Sequence, residues 1–355
     1  MPHSFDPEPL INRLPKVELH LHLEGSIRPA TLREIAQRKG LLLDETECWI
    51  KERERQGFRY PHFGDFLNAF KLLSLLLETP ADYALATTRL IEELSAESVC
   101  YAEVTFSAGV VLWKKQSLDA VFAAIAEATS EASARLGLQV RWIFDAVRQF
   151  GVDHVCEVMH DAARFREEGV VAFGIGGDEV RGPARLFADV YREARDLGLH
   201  LTAHAGESAG PESVRDAVEQ LGAERIGHGT SAARDIEVVR LLAERHTTVE
   251  ACLTSNLATG LIGRIEDYPL RQLIESRVPV TINTDDPAMF GTSIGHEMSL
   301  AATHFALTAD EIIRLAENAI RGAFATRAER QALLDQLLDA SESAAGMTGL
   351  SVAAT

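Results

Sequence analysis

The sequence predicts an α/β fold, a (β/α)8 TIM barrel, from three observations. Eight short apolar, β-rich runs recur along the 355 residues. Longer amphipathic stretches with a helical period lie between them. Side chains able to hold a metal ion or move a proton gather at the C-terminal ends of the runs, where barrel enzymes carry their active sites. Alternating strands and helices build parallel βαβ units. An open, doubly wound sheet shares that alternation, and the count of eight favours closure into a barrel.

The first run, VELHLHL at 17–23, places His20 and His22 two residues apart, so both point to one side of the strand. Leu19, Leu21 and Leu23 take the other side, which assigns the histidines to the barrel interior. The next three runs are VCYAEVTF (99–106), VRWIFDAV (140–147) and VVAFGIG (170–176). The last four are HLTAHAG (200–206), ERIGHG (224–229), TVEACLTS (248–255) and VPVTINT (278–284). Between strands two and three, Leu118, Val121, Phe122, Ile125 and Ala128 share one helical face over 117–136. The stretch 186–197 repeats that pattern and ends at Gly198, a helix-stopping residue. A further helix is expected at 235–245. Residues 25–98 are too long for one crossover. Helical stretches at 30–39, 64–77 and 81–97 make them an insertion over the barrel mouth. More helices follow at 308–340. Residues 1–341 read as one barrel domain and 342–355 as a flexible tail.

Lys and Arg total 35 and Asp and Glu 53, a formal net charge of −18. Such a chain repels phosphate backbones and anionic membranes, so nucleic acid and membrane partners are not expected. Cys48, Cys100, Cys156 and Cys252 form no CxxC pair, which argues against a cysteine zinc site. No signal-peptide pattern opens the chain, and no apolar run approaches the ~20 residues of a membrane span. A cytoplasmic protein is expected. No feature assigns an oligomeric state.

The strand ends collect His20, His22, His204, Glu207, His228, Asp285 and Asp286. Interior imidazoles are costly unless paired or metal-bound. Three neutral imidazoles with one carboxylate suit a borderline divalent ion such as zinc, and an open position on it lowers the pKa of water to ~7. A two-metal barrel often bridges its ions with a lysine on strand four. Here no lysine follows Lys115, which favours one ion per chain. His62, His160, His246, His296 and His304 read as structural.

Other chemistries find weaker support. Gly206, Ser208 and Gly210 match the G-x-S-x-G nucleophile elbow, which would make Ser208 the nucleophile of a serine hydrolase. That reading leaves His20 and His22 without a role. His22-Leu23-Glu24 matches half of the cytidine-deaminase zinc signature, but the P-C-x-x-C half is absent. H-E-x-x-H is absent as well. Gly174 and Gly176 start like a dinucleotide loop, yet Glu179 stands where its third glycine belongs.

PKVELHLHLEGS (15–26), HAGE (204–207), IGHGT (226–230), SN (255–256) and NTDDP (283–287) together resemble the adenosine/adenine deaminase family of the amidohydrolase superfamily. The resemblance covers residues 15 to 290 in family order. It implies a zinc-dependent hydrolytic deamination at C6 of a small-molecule purine. It places zinc on His20, His22, His204 and Asp285, with Asp285 also orienting the attacking water. Glu207 would protonate the purine ring nitrogen N1, which calls for a raised pKa. His228 would stabilise the developing oxyanion, Asp286 would bond N7, and the Gly177 backbone would face N3.

Which purine is read from mixed signals. The family's adenosine deaminases carry Asp, contacting ribose, where Glu24 stands, and its adenine deaminases carry Glu. Gly176-Gly177-Asp178-Glu179, however, resembles the nucleoside enzymes. The segment 105–109, TFSAG, departs from both. A nucleoside altered on its 5′ side fits this mixture, 6-amino-6-deoxyfutalosine of the menaquinone pathway being one. Adenosine also fits, and adenine is the alternative. Arg148 is expected to make a salt bridge or to meet a substrate anion. Phe66 and Trp113 are candidates for the pocket wall or for packing.

Overall fold

A computed structural model describes residues 5–40, 51 and 58–348. Eight parallel strands follow one another around a single sheet: β1 Lys16–His22, β2 Val99–Phe106, β3 Gln139–Val147, β4 Val170–Gly176, β5 His200–Ala205, β6 Arg225–His228, β7 Thr248–Ala251 and β8 Val280–Ile282. All eight expected runs are strands. The last two are shorter than their apolar runs, because a helix begins at Leu253 and the chain leaves the ladder after Ile282.

Side chains and a turn close the ring between β8 and β1. The Asn283 Oδ1 accepts the Leu19 and His20 amides at 3.0 and 3.2 Å. The Asp285 amide donates to the His20 carbonyl at 3.0 Å, and the His22 amide donates to the Asp285 carbonyl at 2.8 Å. The same contacts fix β1, which carries two histidines, against the loop that carries Asp285.

Helices pack on the outside of the barrel. In Leu118–Leu136 the five residues assigned to one face are all buried. Phe122 meets Phe144 of β3 edge to face, with ring centroids 4.8 Å apart. Burying each such ring contributes about 1.5–3 kcal/mol. The insertion forms helices at Pro29–Lys39, Phe63–Leu76 and Pro80–Ala96, each within a residue of the expected bounds. Thr79 and Asp82 cap the third reciprocally: the Thr79 hydroxyl accepts the Asp82 amide and the Asp82 carboxylate accepts the Thr79 amide.

The C-terminal region differs from expectation. Its last helix, Arg327–Thr348, runs through Ser341 rather than ending there. The rest of the expected tail, 349–355, lies outside the described residues, as does Cys48. Among the described residues no helix is long and apolar enough to cross a membrane.

Candidate active site

The C-terminal ends of the strands bring His20, His22, His204 and Asp285 together, with one ligating atom of each within 4.8 Å of the others. The Asp285 Oδ1 lies 3.3 Å from the Nε2 of both His20 and His22. The Nε2 atoms of His22 and His204 are 3.2 Å apart. The His20 ring reaches the cluster across Gly227, where a Cβ would stand 2.5 Å from its Cε1. Asp285 itself has φ +65°, a left-handed conformation that Asp tolerates better than most residues. Its two backbone bonds to β1 hold it there.

The donor set fits a divalent cation. His20 Nε2 and His22 Nδ1 are buried without a hydrogen-bond partner. Burial, together with His20 and His22, pushes the His204 pKa well below its ordinary value, which keeps that imidazole neutral and able to ligate. Burial opposes charge on Asp285, but the His20 and His22 rings, each 3.3 Å from its Oδ1, hold its pKa well below the usual carboxylate range. Three imidazoles around one carboxylate match the preference of zinc.

Behind the cluster runs a buried polar chain with no counterpart in the sequence reading. His20 Nδ1 meets Glu250 Oε2 at 2.7 Å, and Glu250 Oε1 pairs with Arg225 Nε at 2.6 Å. Arg225 donates on to Glu103, which also accepts from the Tyr101 hydroxyl at 2.8 Å. The carboxylate on Nδ1 turns His20 Nε2 toward the cluster and raises its basicity. The available signal was a charge inside each otherwise apolar strand: Glu103 in β2, Arg225 in β6, Glu250 in β7.

Glu207, His228 and Asp285 form the second half of the site. His228 Nε2 stands 3.5 Å from Glu207 Oε1 and 3.9 Å from Asp285 Oδ2. The Asn256 amide nitrogen donates to His228 Nδ1 at 3.3 Å, which leaves the proton of a neutral ring on Nε2, facing the site. Burial lowers the His228 pKa to about 4, so the ring is neutral. The Ser255 hydroxyl donates to Asp285 Oδ2 at 2.7 Å. The Ser-Asn pair thus orients one carboxylate and one imidazole. Burial and the nearby Asp285 and Glu179 carboxylates push the Glu207 pKa well above its ordinary value. Burial and Asp285 raise Asp286 likewise. Asp286 packs so closely on Gly25 that a Cβ there would lie 1.6 Å from its Oδ1, which accounts for the glycine after Glu24.

Glu179 takes a part that its position in the sequence did not suggest. Its buried carboxylate accepts the amides of Gly206, Glu207, Ser208 and Ala209 at 2.7–3.3 Å and the Ser213 hydroxyl. It therefore shapes the loop that presents Glu207. The Ser208 hydroxyl also turns to Glu179, at 3.4 Å, and to no histidine among the described residues. The serine-hydrolase reading is not favoured. Ser208→Ala should change turnover by no more than about threefold, the scale of one weak neutral hydrogen bond. Steady-state kinetics check this, and loss of activity with fluorophosphonate labelling of the parent would restore the nucleophile.

A cavity of about 460 Å³ opens onto these groups. His22, His204, Glu207, His228, Asp285 and Asp286 line its floor, and Gly176 and Gly177 its side. Phe63, Phe66 and Phe70 of the insertion cover it, and Trp113 and Phe150 stack at its rim, 5.9 Å apart. Both Phe66 and Trp113 are wall residues. Glu24, expected to contact substrate, is buried in the turn after β1. Its Oε1 accepts the Ser107 amide at 3.2 Å, and its Oε2 has no hydrogen-bond partner among the described residues. Ser107 lines the cavity. Arg148 is corrected too. Buried at 1% exposure, it makes no salt bridge among the described residues, does not line the cavity, and donates to the carbonyls of Ile175, Gly182 and His204. The sequence reading passed over Asp145 near the end of β3, which faces the cavity with a pKa raised by burial to about 6. None of the five histidines read as structural lines the cavity. His246, for example, ends a helix in the left-handed conformation, and His160 pairs with Glu193 at 2.8 Å.

An eight-stranded barrel with this histidine and aspartate cluster at its C-terminal mouth is the architecture of the amidohydrolase superfamily. Within that class, the chain belongs to the adenosine deaminase family, whose pattern it matches over residues 15–340. It is 36% identical over 324 residues to the aminodeoxyfutalosine deaminase of Streptomyces avermitilis, covering 91% of this chain and 88% of that one. It is 35% identical to the adenosine deaminase of Enterococcus faecalis, covering 94% and 98%. A crystal structure of an amidohydrolase from Burkholderia ambifaria with bound Zn superposes with a TM-score of 0.85 at 25% identity, over 96% and 94% of the two chains. The protein is a hydrolytic deaminase of adenine-type compounds.

Proposed function

We propose that the chain is a zinc-dependent, cytoplasmic deaminase of an adenosine-type nucleoside, 6-amino-6-deoxyfutalosine or adenosine, releasing the 6-oxo purine and ammonia. The observation that carries this reading is Glu207, a buried carboxyl whose pKa is raised, beside a neutral His228 and a cluster of three imidazoles and a carboxylate. A purine ring resists attack at C6, and protonation of N1 makes that carbon electrophilic. Zinc, when held by His20, His22, His204 and Asp285, supplies the nucleophile by acidifying water near neutral pH. Glu207 delivers its proton to N1. His228 offers its Nε2 hydrogen to the negative oxygen that develops at C6. Asp286, protonated, donates to N7, and the Gly177 backbone faces N3.

The insertion supports a nucleoside in preference to a bare base. Its Phe63–Leu76 helix covers a cavity that extends from the floor to the exposed Trp113 and Phe150, leaving room for a group beyond the base. The identity to an aminodeoxyfutalosine deaminase supports the futalosine derivative and a role in menaquinone synthesis.

Ammonia release from adenine, adenosine, AMP and 6-amino-6-deoxyfutalosine, measured side by side with zinc-loaded enzyme, tests the reading. One of the two nucleosides should lead by at least about tenfold in kcat/KM, and removal of the ion by a chelator should abolish turnover until zinc is restored. Adenine as the preferred substrate, or full activity in metal-free protein, would overturn it.

A further inference from the structure

Asp145 lines the cavity together with His22 and His204, and the proposed chemistry leaves it unused. It is 6% exposed and lines the cavity. Among the described residues no hydrogen bond or ion pair reaches it. Its oxygens sit against Gly174 and Gly176: a Cβ at Gly176 would stand 3.0 Å from Oδ2, and one at Gly174 would stand 3.4 Å from Oδ1. The two glycines that looked like the start of a dinucleotide loop instead leave room for this carboxylate. His22 and Arg148 attract its charge, but no hydrogen bond satisfies its oxygens, and a desolvated polar group left without one costs about 2–7 kcal/mol until a ligand supplies it.

The order of the strands says which part of the ligand does so. β1 and β5 stand opposite each other in the ring of eight, and His22 and His204 meet between them, Nε2 to Nε2 at 3.2 Å. On one side of that line, β6 and the turn after β8 carry His228 and Asp285, with Glu207 drawn to them. β3 and β4, with Asp145, Gly174 and Gly176, fall on the other side. When a nucleophile adds to one face of C6, the carbon becomes tetrahedral and the amine is pushed toward the opposite face.

We infer that Asp145 accepts hydrogen bonds from the exocyclic amine of the substrate and holds that amine as it departs. The inference rests on the deaminase reading above and adds a leaving-group contact to it. In the reaction the C6–O bond forms as one O–H bond of water breaks, N1 takes its proton from Glu207, and the proton from water returns to the Glu207 carboxylate. The C6–N6 bond then breaks with its electron pair leaving on nitrogen. The proton of the C6 hydroxyl goes to that nitrogen as C6=O forms, so water and the 6-amino base become the 6-oxo base and ammonia. Asp145 enters none of these exchanges. As an acceptor it aligns the amine, and its charge favours the positive character that the nitrogen gains on leaving.

The contact predicts a dependence on the leaving group. Asp145→Asn and Asp145→Ala, in the full chain loaded with zinc, should bind one zinc as the parent does. With the preferred 6-amino nucleoside, kcat/KM should fall by about 10- to 150-fold, the range for a lost hydrogen bond to a charged group. With the matching 6-chloro nucleoside, whose leaving group has no N–H, kcat/KM should change by less than about threefold. Equal losses on the two substrates, or loss of zinc from the variants, would overturn the inference and make Asp145 a support for His22. If Asp145→Ala does not fold, the near-isosteric Asp145→Asn carries the comparison. A parent enzyme that releases neither ammonia nor chloride would instead refute the deaminase reading itself.

Discussion

Glu207→Gln is expected to lower kcat by about three to four orders of magnitude while leaving zinc content unchanged and KM within a few-fold. The amide keeps the shape of the carboxyl and can still offer an N–H to N1, so binding survives. It cannot transfer a proton, so the step that makes C6 electrophilic is lost. The pH dependence supplies a second readout. Burial and the Asp285 and Glu179 carboxylates raise the Glu207 pKa, which favours the protonated, active form. Raising the pH through that pKa removes the proton, and kcat of the parent should fall on the alkaline side. The residual activity of Glu207→Gln should lack that alkaline limb. Stopped assays of ammonia across pH, with metal analysis of each protein, check both points. Unchanged turnover would remove Glu207 from the proton path.

The site was legible where one strand's own pattern decides what a residue does. Period-two alternation sends His20 and His22 inward together, and HAGE and NTDDP end strands whose apolar runs are plain. The alternation also shows that Glu103 and Glu250 lie within strands. It does not show that Arg225, 122 residues from Glu103, will lie between them. Such chains form only when the ring closes, and period alone names a face without naming the neighbour. Glu179 was misjudged for the same reason. Read as a failed glycine in a phosphate loop, it is an acceptor for four consecutive amides of another turn. Analogy of sequence assigned Glu24 to the substrate, but does not show that its Oε1 accepts the Ser107 amide. Arg148 answers backbone carbonyls, which leave no trace in side-chain patterns.

Asp285→Asn isolates the charge at the centre of the cluster. Asn accepts the left-handed backbone at φ +65° nearly as well as Asp, so the bonds of this turn to His20 and His22 should persist. What goes is the anion that faces both imidazoles at 3.3 Å. Bound zinc should drop well below one per chain after dialysis, and activity should fall by at least about 1,000-fold with it. Acid should act on the parent in the same direction. Burial lowers the His20 pKa, but the neighbouring Asp285 and Glu250 carboxylates outweigh it and raise the pKa to about 9. A metal ion therefore displaces a proton from His20 at neutral pH, and falling pH favours the proton over the ion. Zinc retention against a fixed chelator should decline as pH drops from 8 to 6. Asp285→Asn should retain less zinc at every pH, because it loses the ligand charge as well. Equal zinc content in parent and variant across that range would remove Asp285 from the metal ligands.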